Sequence, residues 1–318
     1  MDEDISPERI ALPAAQETAI LVNRQSGTVR SMGEDAVRAL VADAWQGETA
    51  PQLFLIDGSE VEATVRRLTI ERTVTRLIVG GGDGTITSVA GLLAGSGIAM
   101  GLLPLGTMNL LANALGISAD PAQALRQMHG AVTTRIDAAR AGDELFLHHV
   151  SIGIQPRMVK IREKLGYSSR LTKMLAGLRA MAAVLLNPQS QRLRLTLDGR
   201  VLEVKAPALL VSNNVYENSA WLKQAALDEG VLGIYMVKPM SGLSYLRLAL
   251  DLLRGRWRDN LNVNEERART VTIERRRRFG RRAKSIRATL DGELRLLPLP
   301  LTITSQPAAL DVLVPPKA

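Results

Sequence analysis

Between residues 18 and 136, short apolar runs alternate with stretches in which apolar side chains recur every three or four positions. The runs predict buried strands, and the three-to-four spacing predicts helices with one buried face. Strands that alternate with helices predict a parallel sheet covered on both faces. The predicted strands are Thr18 to Asn23, Gln52 to Ile56, Leu77 to Val79 and Ile98 to Leu103, and the predicted helices are Glu34 to Trp45, Val61 to Glu71, Ile86 to Leu93 and Asn109 to Leu115.

The pattern changes near residue 137, where short strands and turn signals begin to dominate. Asp198-Gly199, between two alternating runs, is typical of a type I′ hairpin. We therefore expect a mobile leader at 1–17, an α/β domain at 18–136 and a mostly antiparallel β domain at 137–318. The predicted strands of the β domain are Glu144 to Ile154, Gln191 to Leu197, Val201 to Ser212, Val231 to Val237, Thr270 to Ile273 and Ile286 to Leu290, with helical insertions at Arg170 to Leu186 and Leu243 to Trp257.

Composition narrows the class of protein. The 318 residues are 46% hydrophobic, which is enough for two domains with their own cores. The absence of cysteine excludes disulfides and thiolate zinc sites and fits a reducing compartment. The acidic N-terminus lacks a signal-peptide design, and no apolar run approaches the roughly 20 residues of a spanning helix. We expect a cytoplasmic protein that associates peripherally with a membrane.

Positive charge is concentrated in one part of the chain. Between Arg254 and Arg287 there are thirteen Arg or Lys and four Asp or Glu, an excess of nine against a net charge of +8 for the whole chain. The densest part, Arg275 to Arg282, predicts attraction to an anionic membrane at about 1 kcal/mol per residue, with a solvated loop as the alternative. Phe279 is its only aromatic residue, which argues against base stacking and a nucleic-acid partner.

The segment Leu77 to Thr85 carries the strongest chemical signal. A strand runs into four glycines around one aspartate, and a helix follows. Glycines allow successive N–H groups to point at one anion, and the helix N-terminus adds positive charge there. The segment matches neither a P-loop nor G-x-G-x-x-G. We expect a phosphate site in which Asp83 orients a magnesium ion or a hydroxyl; a plain strand-to-helix turn is the alternative.

A second glycine-containing loop follows the next predicted strand. Pro104 and Gly106 force a turn, and Thr107 or Asn109 begins a helix, which Thr107 could simply cap. Loops that follow strands of one parallel sheet lie at the same edge, where ligands bind. Two such loops favour a nucleotide site.

Together, G-G-D-G-T at 81–85 and P-L-G-T-x-N at 104–109 resemble the diacylglycerol kinase catalytic family, which includes bacterial lipid kinases, sphingosine kinases and ceramide kinases. Three weaker matches occur in the expected order. Residues 23–27 resemble N-P-x-S-G, with Arg24 in place of proline; 225–232 resemble an L-D-D-G loop; 291–293 are D-G-E. The resemblance implies a Rossmann-like, phosphofructokinase-like nucleotide domain and a C-terminal antiparallel β-sandwich that binds lipid.

The resemblance also implies roles for individual residues. Glu293 would be the general base that takes the proton from a lipid hydroxyl, with Asp83 and Asp291 also catalytic. A structural magnesium would be bound by the main-chain carbonyls of Ala226 and Val231 and by Glu229, which replaces the usual aspartate. ATP and Mg²⁺ would be held by Asn23, Gly27, Gly81, Gly82, Asp83, Gly84, Thr85, Ile86, Thr87, Gly106, Thr107 and Asn109.

Taken together, these patterns predict an ATP-dependent lipid kinase that transfers the γ-phosphate to the hydroxyl of a membrane lipid such as diacylglycerol. An NAD kinase shares G-G-D-G-T, but its second motif does not fit residues 106–112. A non-catalytic regulator that binds nucleotide and membrane is the other alternative, against which Asp83 and Glu293 argue.

The Asp-Gly pair at 291–292 is also typical of a hairpin turn, an interpretation that is compatible with a base at Glu293. The three histidines, His129, His148 and His149, show no metal-ligand spacing, and His148 and His149 are interpreted as structural. The acceptor lipid, the nucleotide preference and the oligomeric state are left open.

Overall fold

The structure, a computed structural model of the chain, describes residues 18–45, 50–71, 74–164, 184, 188–219, 222–275 and 283–316. Two compact units make up the chain. The first unit comprises the residues up to Ala138 and those from Ala308 onward, and the second unit comprises Ala139–Pro307. The sequence assigned all of 137–318 to the second domain. The end of the chain instead joins the first unit, because Val312 pairs in parallel with Met100.

The first unit is built on a parallel sheet in which the strand order is β2-β1-β3-β4. Every residue of β4, and all but the first of β3, is buried, as expected for strands covered on both faces. The predicted parallel sheet is therefore confirmed. The strands are β1 (Thr18–Asn23), β2 (Gln52–Ile56), β3 (Arg76–Gly81) and β4 (Ala99–Pro104), and the helices are α1 (Gly27–Met32), α2 (Glu34–Ala44), α3 (Val61–Glu71), α4 (Asp83–Leu93), α5 (Leu110–Ala114) and α6 (Pro121–His129).

The second unit is formed mainly by antiparallel strands. Two of its strands, β5 and β16, also have residues in the first unit. The strands are β5 (Val132–Ala141), β6 (Glu144–Phe146), β7 (His149–Gly153), β8 (Gln191–Leu197), β9 (Arg200–Ala206), β10 (Ala208–Asn213), β11 (Leu232–Val237), β12 (Val263–Ala268), β13 (Thr270–Arg275), β14 (Ser285–Leu290), β15 (Glu293–Pro298) and β16 (Leu301–Val314), and the helices are α7 (Ile154–Lys164) and α8 (Gly242–Leu253).

Two layers of strands enclose the core of the second unit. One sheet has the order β12-β11-β10-β7-β14-β15, and its pairs are all antiparallel. The other layer contains β16, β13, β8 and β9 in antiparallel order. Side chains from both layers share one hydrophobic core, which includes Phe146, Ile152, Leu195, Val211 and Ile273. The predicted antiparallel sandwich is confirmed.

Several element boundaries differ from the sequence prediction. The strand predicted from Val201 to Ser212 is two strands, β9 and β10, because Pro207 between them has no N–H for the ladder. The strand predicted from Glu144 to Ile154 is likewise divided into β6 and β7. The elements α1, α6, α7, β5, β12 and β16 were not predicted. The helix predicted from Arg170 to Leu186 lies outside the described residues, except for Val184. Within the described residues, no helix is both long and apolar enough to cross a membrane.

Candidate active site

The glycine loop lies where β3 ends and α4 begins, at the carboxyl edge of the parallel sheet. Side chains would not fit at its first two glycines. A Cβ on Gly80 would lie 2.9 Å from Val22 Cγ2, and one on Gly81 would lie 2.7 Å from Thr85 Cβ. Gly82 differs, because its Cβ would meet one heavy atom at 3.7 Å. The loop therefore has open space beside Gly82.

Main-chain N–H groups at the start of α4 are available to an anion. The N–H of Ile86 donates to the carbonyl of Gly82 (3.1 Å), which is the first hydrogen bond of the helix. The N–H groups of residues 83–85 therefore have no partner within the helix. Positive charge at a helix N-terminus favours phosphate there. The N–H of Ile86 is used within the helix and its side chain is buried, and the contact with ATP predicted for Ile86 stays a prediction.

The second glycine loop touches the first. A Cβ on Gly106 would lie 2.6 Å from Gly82 Cα and 2.8 Å from Asn109 Oδ1. Asn109 has a left-handed backbone with φ of 49° and fixes the turn with its side chain, which accepts from Gly106 N (2.9 Å) and donates to Gly106 O (3.1 Å). Thr107 is exposed at the surface of this loop. The two motifs predicted to converge are in contact.

Asp83 ties the two loops together. Its Oδ2 accepts from Asn109 N (3.1 Å) and its Oδ1 from Leu110 N (2.7 Å), at the start of α5. A carboxylate is favoured there because the first N–H groups of a helix lack partners. The sequence predicted that Asp83 orients magnesium or a hydroxyl. The contacts give Asp83 a positioning role. Its predicted contact with magnesium or a hydroxyl would use its remaining lone pairs and stays a prediction.

A third loop, after β1, meets the same edge. Asn23 Nδ2 donates to Thr85 Oγ1 (3.1 Å), and Asn23 Oδ1 accepts from Gln25 N (2.9 Å). Arg24, where the family has proline, donates to Leu55 O (2.6 Å). Gly27 begins α1 directly beyond this turn, and Thr87 lies one turn into α4. Asn23, Gly82, Asp83, Gly106 and Asn109 are thus brought together, and their contact with ATP stays a prediction.

The Asp291-Gly292 pair forms a type I′ turn, with φ of 45° and 87°. Asp198-Gly199 forms the same turn, with φ of 45° and 90°, so the predicted hairpin is confirmed. Each aspartate binds main-chain N–H groups at or next to the start of a strand elsewhere in the chain. Asp291 accepts from residues 147, 148 and 149 at 2.8–2.9 Å, and Asp198 accepts from residues 269 and 270 at 2.9 and 2.8 Å. These contacts give Asp291 a positioning role, and its predicted catalytic role stays a prediction.

Glu293 directly follows this turn and is exposed. Its Oε2 accepts from the Arg295 guanidinium (2.6 Å), and the same guanidinium binds Glu144 Oε2 (3.2 Å). Oε1 of Glu293 has no partner among the residues that the structure describes. Glu293 is therefore an oriented carboxylate with one oxygen open to a proton donor. Arg295 is the residue that orients it.

A buried polar cluster, which was not predicted from the sequence, lies beside the Asp291 turn. His149 Nδ1 lies 2.9 Å from Tyr216 Oη, and His149 Nε2 lies 3.3 Å from Gln155 Nε2. Burial lowers the pKa of His149 to about 4, against a weaker opposing effect of Asp291. Burial also raises the pKa of Tyr216 well above its usual value. Gln155 lies at the start of α7, six residues after His149.

Two of the predicted magnesium ligands accept hydrogen bonds from main-chain N–H groups. Glu229 Oε2 accepts from Val215 N (3.0 Å), and the carbonyl of Val231 accepts from Asn214 N (3.0 Å). Magnesium requires near-octahedral oxygen ligands, and the described residues contain no group of three or more His, Cys, Asp or Glu that could hold a metal. We attach no chemistry to this loop, and the predicted ligands Ala226, Glu229 and Val231 stay a prediction. The basic stretch 276–282 lies outside the described residues; Arg275 ends β13.

The fold and the site define an α/β domain in which two glycine loops are in contact, followed in the chain by an antiparallel β domain. The sequence profile of the diacylglycerol kinase catalytic domain matches residues 17–141. The profile of the YegS C-terminal NAD kinase beta sandwich-like domain matches residues 148–314. The chain therefore belongs to the diacylglycerol kinase family, with a YegS-type C-terminal domain.

Individual relatives agree with this assignment. The chain is 28% identical over 253 residues to a diacylglycerol kinase from Mycobacterium tuberculosis. This alignment covers 75% of this chain and 76% of the relative. A YegS-like lipid kinase from Chromohalobacter salexigens is 27% identical over 192 residues, 58% of this chain and 60% of that protein. An uncharacterized Synechocystis protein, 25% identical over 195 residues, is covered over 44% of its length and aligns with 59% of this chain. The chain thus spans 60% of the length of the Chromohalobacter relative and 44% of the length of the Synechocystis relative.

Solved structures share the fold. A diacylglycerol kinase from Bacillus anthracis str. Sterne matches with a TM-score of 0.66 at 18% identity, covering 96% of this chain and 99% of its own. Another structure from the same organism matches with a TM-score of 0.74 at 18% identity over 99% of both chains. At this identity the likeness concerns the fold alone.

Proposed function

We propose that this chain is an ATP-dependent lipid kinase that transfers the γ-phosphate of ATP to the hydroxyl of a membrane lipid of the diacylglycerol class. The contact between the two glycine loops carries the proposal. Gly106 packs against Gly82, and open space remains beside Gly82 next to the N-terminus of α4. A phosphate chain bound there would meet several N–H groups and no side chain. The names of the relatives support a lipid as the acceptor.

Each part of the site has a defined task in this proposal. The N–H groups of residues 83–85 hold the phosphates, and Asp83 keeps the second loop against the first. Mg²⁺, bound mainly through the nucleotide phosphates, supplies charge neutralisation during transfer. Glu293 Oε1 accepts the proton of the lipid hydroxyl while Arg295 holds Oε2. Phosphoryl transfer depends mainly on positioning and electrostatics, so few groups need to act as acid or base.

The test is a transfer assay with labelled ATP and Mg²⁺, offering diacylglycerol in mixed micelles or NAD as acceptor. We expect label in the lipid. Glu293→Gln should lower kcat by a factor of about 100 or more, as for loss of a general base, with unchanged ATP affinity. Glu144→Gln is the matched control, because Glu144 binds the same guanidinium but is assigned no catalytic task.

Two results would count against the proposal. Full turnover by Glu293→Gln would remove this residue as the base while leaving the kinase activity in place. Label in NAD with none in lipid would instead assign the chain an NAD kinase activity. One observation favours this second candidate function: the profile that matches the C-terminal domain is described as NAD kinase beta sandwich-like.

A further inference from the structure

Helix α8 has two apolar faces, and only one is covered. Tyr245, which is 2% exposed, lies with Leu248 and Leu252 on the inner face. Both leucines pack against the aromatic cluster of Tyr216, Tyr235 and Trp257. A surface helix normally presents polar residues on its opposite side. On α8 that side instead carries a row of leucines, which are Leu246, Leu250 and Leu253, exposed by 54%, 40% and 57%.

A fourth exposed leucine lies near α8. Leu261, in the segment that follows the short 3₁₀ turn Trp257–Asp259, is 88% exposed. Leucines spaced four and three residues apart lie on one stripe of a helix. Single exposed leucines are normal, whereas a contiguous exposed group marks an interaction site. We call these four leucines and the arginines beside them the α8 face.

The arginines of the α8 face are available for an anionic partner. Arg247, Arg254 and Arg256 line a cavity of about 510 Å³ between α8 and the segment ending at Asn262. Their side chains make no ion pair or hydrogen bond with any residue that the structure describes.

The two acidic residues of the cavity are already bound. Asp251 accepts from Asn260 (2.7 Å), and Asp259 accepts from Asn218 (3.1 Å). Guanidinium groups without protein partners beside an apolar stripe match the chemistry of a phospholipid surface, where phosphates lie directly above acyl chains.

We propose that the α8 face docks the protein onto an anionic lipid bilayer. The four leucines enter the boundary between headgroups and acyl chains, and the three arginines bind lipid phosphates. A second copy of the chain fits less well, because a two-fold contact through this face would bring the arginines of both copies close together. The inference does not depend on phosphoryl transfer, since bilayer binding needs no nucleotide.

Cosedimentation with vesicles, without ATP, tests the proposal. The full chain should bind vesicles of phosphatidylcholine mixed with phosphatidylglycerol more tightly than vesicles of phosphatidylcholine alone. Combining Leu250→Ser with Leu253→Ser should weaken binding to the mixed vesicles about 100-fold. Ile70→Ser is the control, because Ile70 is 80% exposed on α3, an element of the first unit. It should bind as the wild type does.

The arginines are tested in the same assay. Combining Arg247→Gln with Arg254→Gln should weaken binding to the mixed vesicles about 30-fold and remove the preference for phosphatidylglycerol. Arg38→Gln combined with Arg192→Gln removes the same charge from other exposed positions. This control should keep most of that preference if the effect is local.

Two outcomes would overturn the proposal. The first is equal vesicle binding by the leucine pair and the wild type. The second is a leucine pair that changes the sedimentation coefficient of the protein alone while vesicle binding stays intact, which would assign the α8 face to self-association. A short-chain diacylglycerol dispersed in solution separates docking from chemistry. The leucine pair should phosphorylate it at the wild-type rate, and loss of that activity would show that the variant damages the site instead of the docking face.

Discussion

Gly82 and Gly106 allow the packing and the ligand-binding contributions of the glycine loops to be separated. A methyl group at Gly106 would lie 2.6 Å from Gly82 Cα and 2.8 Å from Asn109 Oδ1, so the loops must move apart. Overpacking of this kind typically costs about 1–3 kcal/mol. We expect Gly106→Ala to lower the free energy of unfolding by about 3 kcal/mol in urea titrations, because one obstructing atom is main chain.

Gly82→Ala should behave differently. Its φ of −86° and ψ of 175° suit alanine, and the added methyl would meet only Gly106 Cα, at 3.7 Å. Replacing glycine by alanine under such conditions raises the free energy of unfolding by about 0 to 1 kcal/mol. The methyl would, however, enter the space that we assign to phosphate. A displacement of about 1 Å can reduce a rate 100-fold, so we expect kcat/KM for ATP to fall about 100-fold, and calorimetry to show weaker ATP binding.

Gly130→Ala is the control for both variants. Its φ is −95°, and a Cβ there would meet nothing within 4 Å. The free energy of unfolding should again change by only about 0 to +1 kcal/mol, and ATP affinity should stay at the wild-type level. If Gly82→Ala bound ATP like the wild type, the phosphate would not lie beside this glycine. If it unfolded like Gly106→Ala, packing alone would explain the glycine.

Two other predictions concern the second unit. Asp198→Asn and Asp291→Asn remove equivalent carboxylates, so urea titration should show similar losses of about 1–3 kcal/mol in the free energy of unfolding. The kcat should fall only for Asp291→Asn, because its turn precedes Glu293. Equal kcat values for the two variants would contradict that positioning role. Burial lowers the pKa of His149 from 6.5 to about 4, so the unfolded chain binds this proton first as the pH falls. The contribution of neutral His149 to the free energy of unfolding is fully present above pH 6.5 and is lost toward pH 4. The loss amounts to up to about 3 kcal/mol, at about 1.36 kcal/mol per pKa unit. His149→Gln should flatten that part of the pH–stability curve, and an unchanged curve would refute the assignment.

Much of the fold was predictable because its signals are local. The strands of the first unit are apolar runs, and their loops contain the glycines that the close contacts require. The two hairpins were predictable because Asp-Gly suits a turn with two positive φ values. Strand β12 was missed because its sequence, VNEERA, is mostly polar and half-exposed. An alternation of that kind carries little apolar signal.

The roles of the acidic site residues could not be predicted in the same way. The partners of Asp83 lie 26 and 27 residues further along the chain, and those of Asp291 lie more than 140 residues earlier. A motif shows that an aspartate is present, but main-chain N–H groups from distant loops decide what its oxygens bind. The pairing of His149 with Tyr216, 67 residues apart, was missed for the same reason.

The return of the chain to the first unit bears on how that unit can be produced by itself. A recombinant fragment that stops at Ala138 would lack Val312, which pairs with Met100 on β4, and Ala309, whose carbonyl accepts from Gly95 N. Strand β4 would then present an open hydrogen-bonding edge made of buried, apolar sequence. Such a fragment should aggregate, and fusing residues 308–316 to it through a flexible linker is the rational way to keep it in solution.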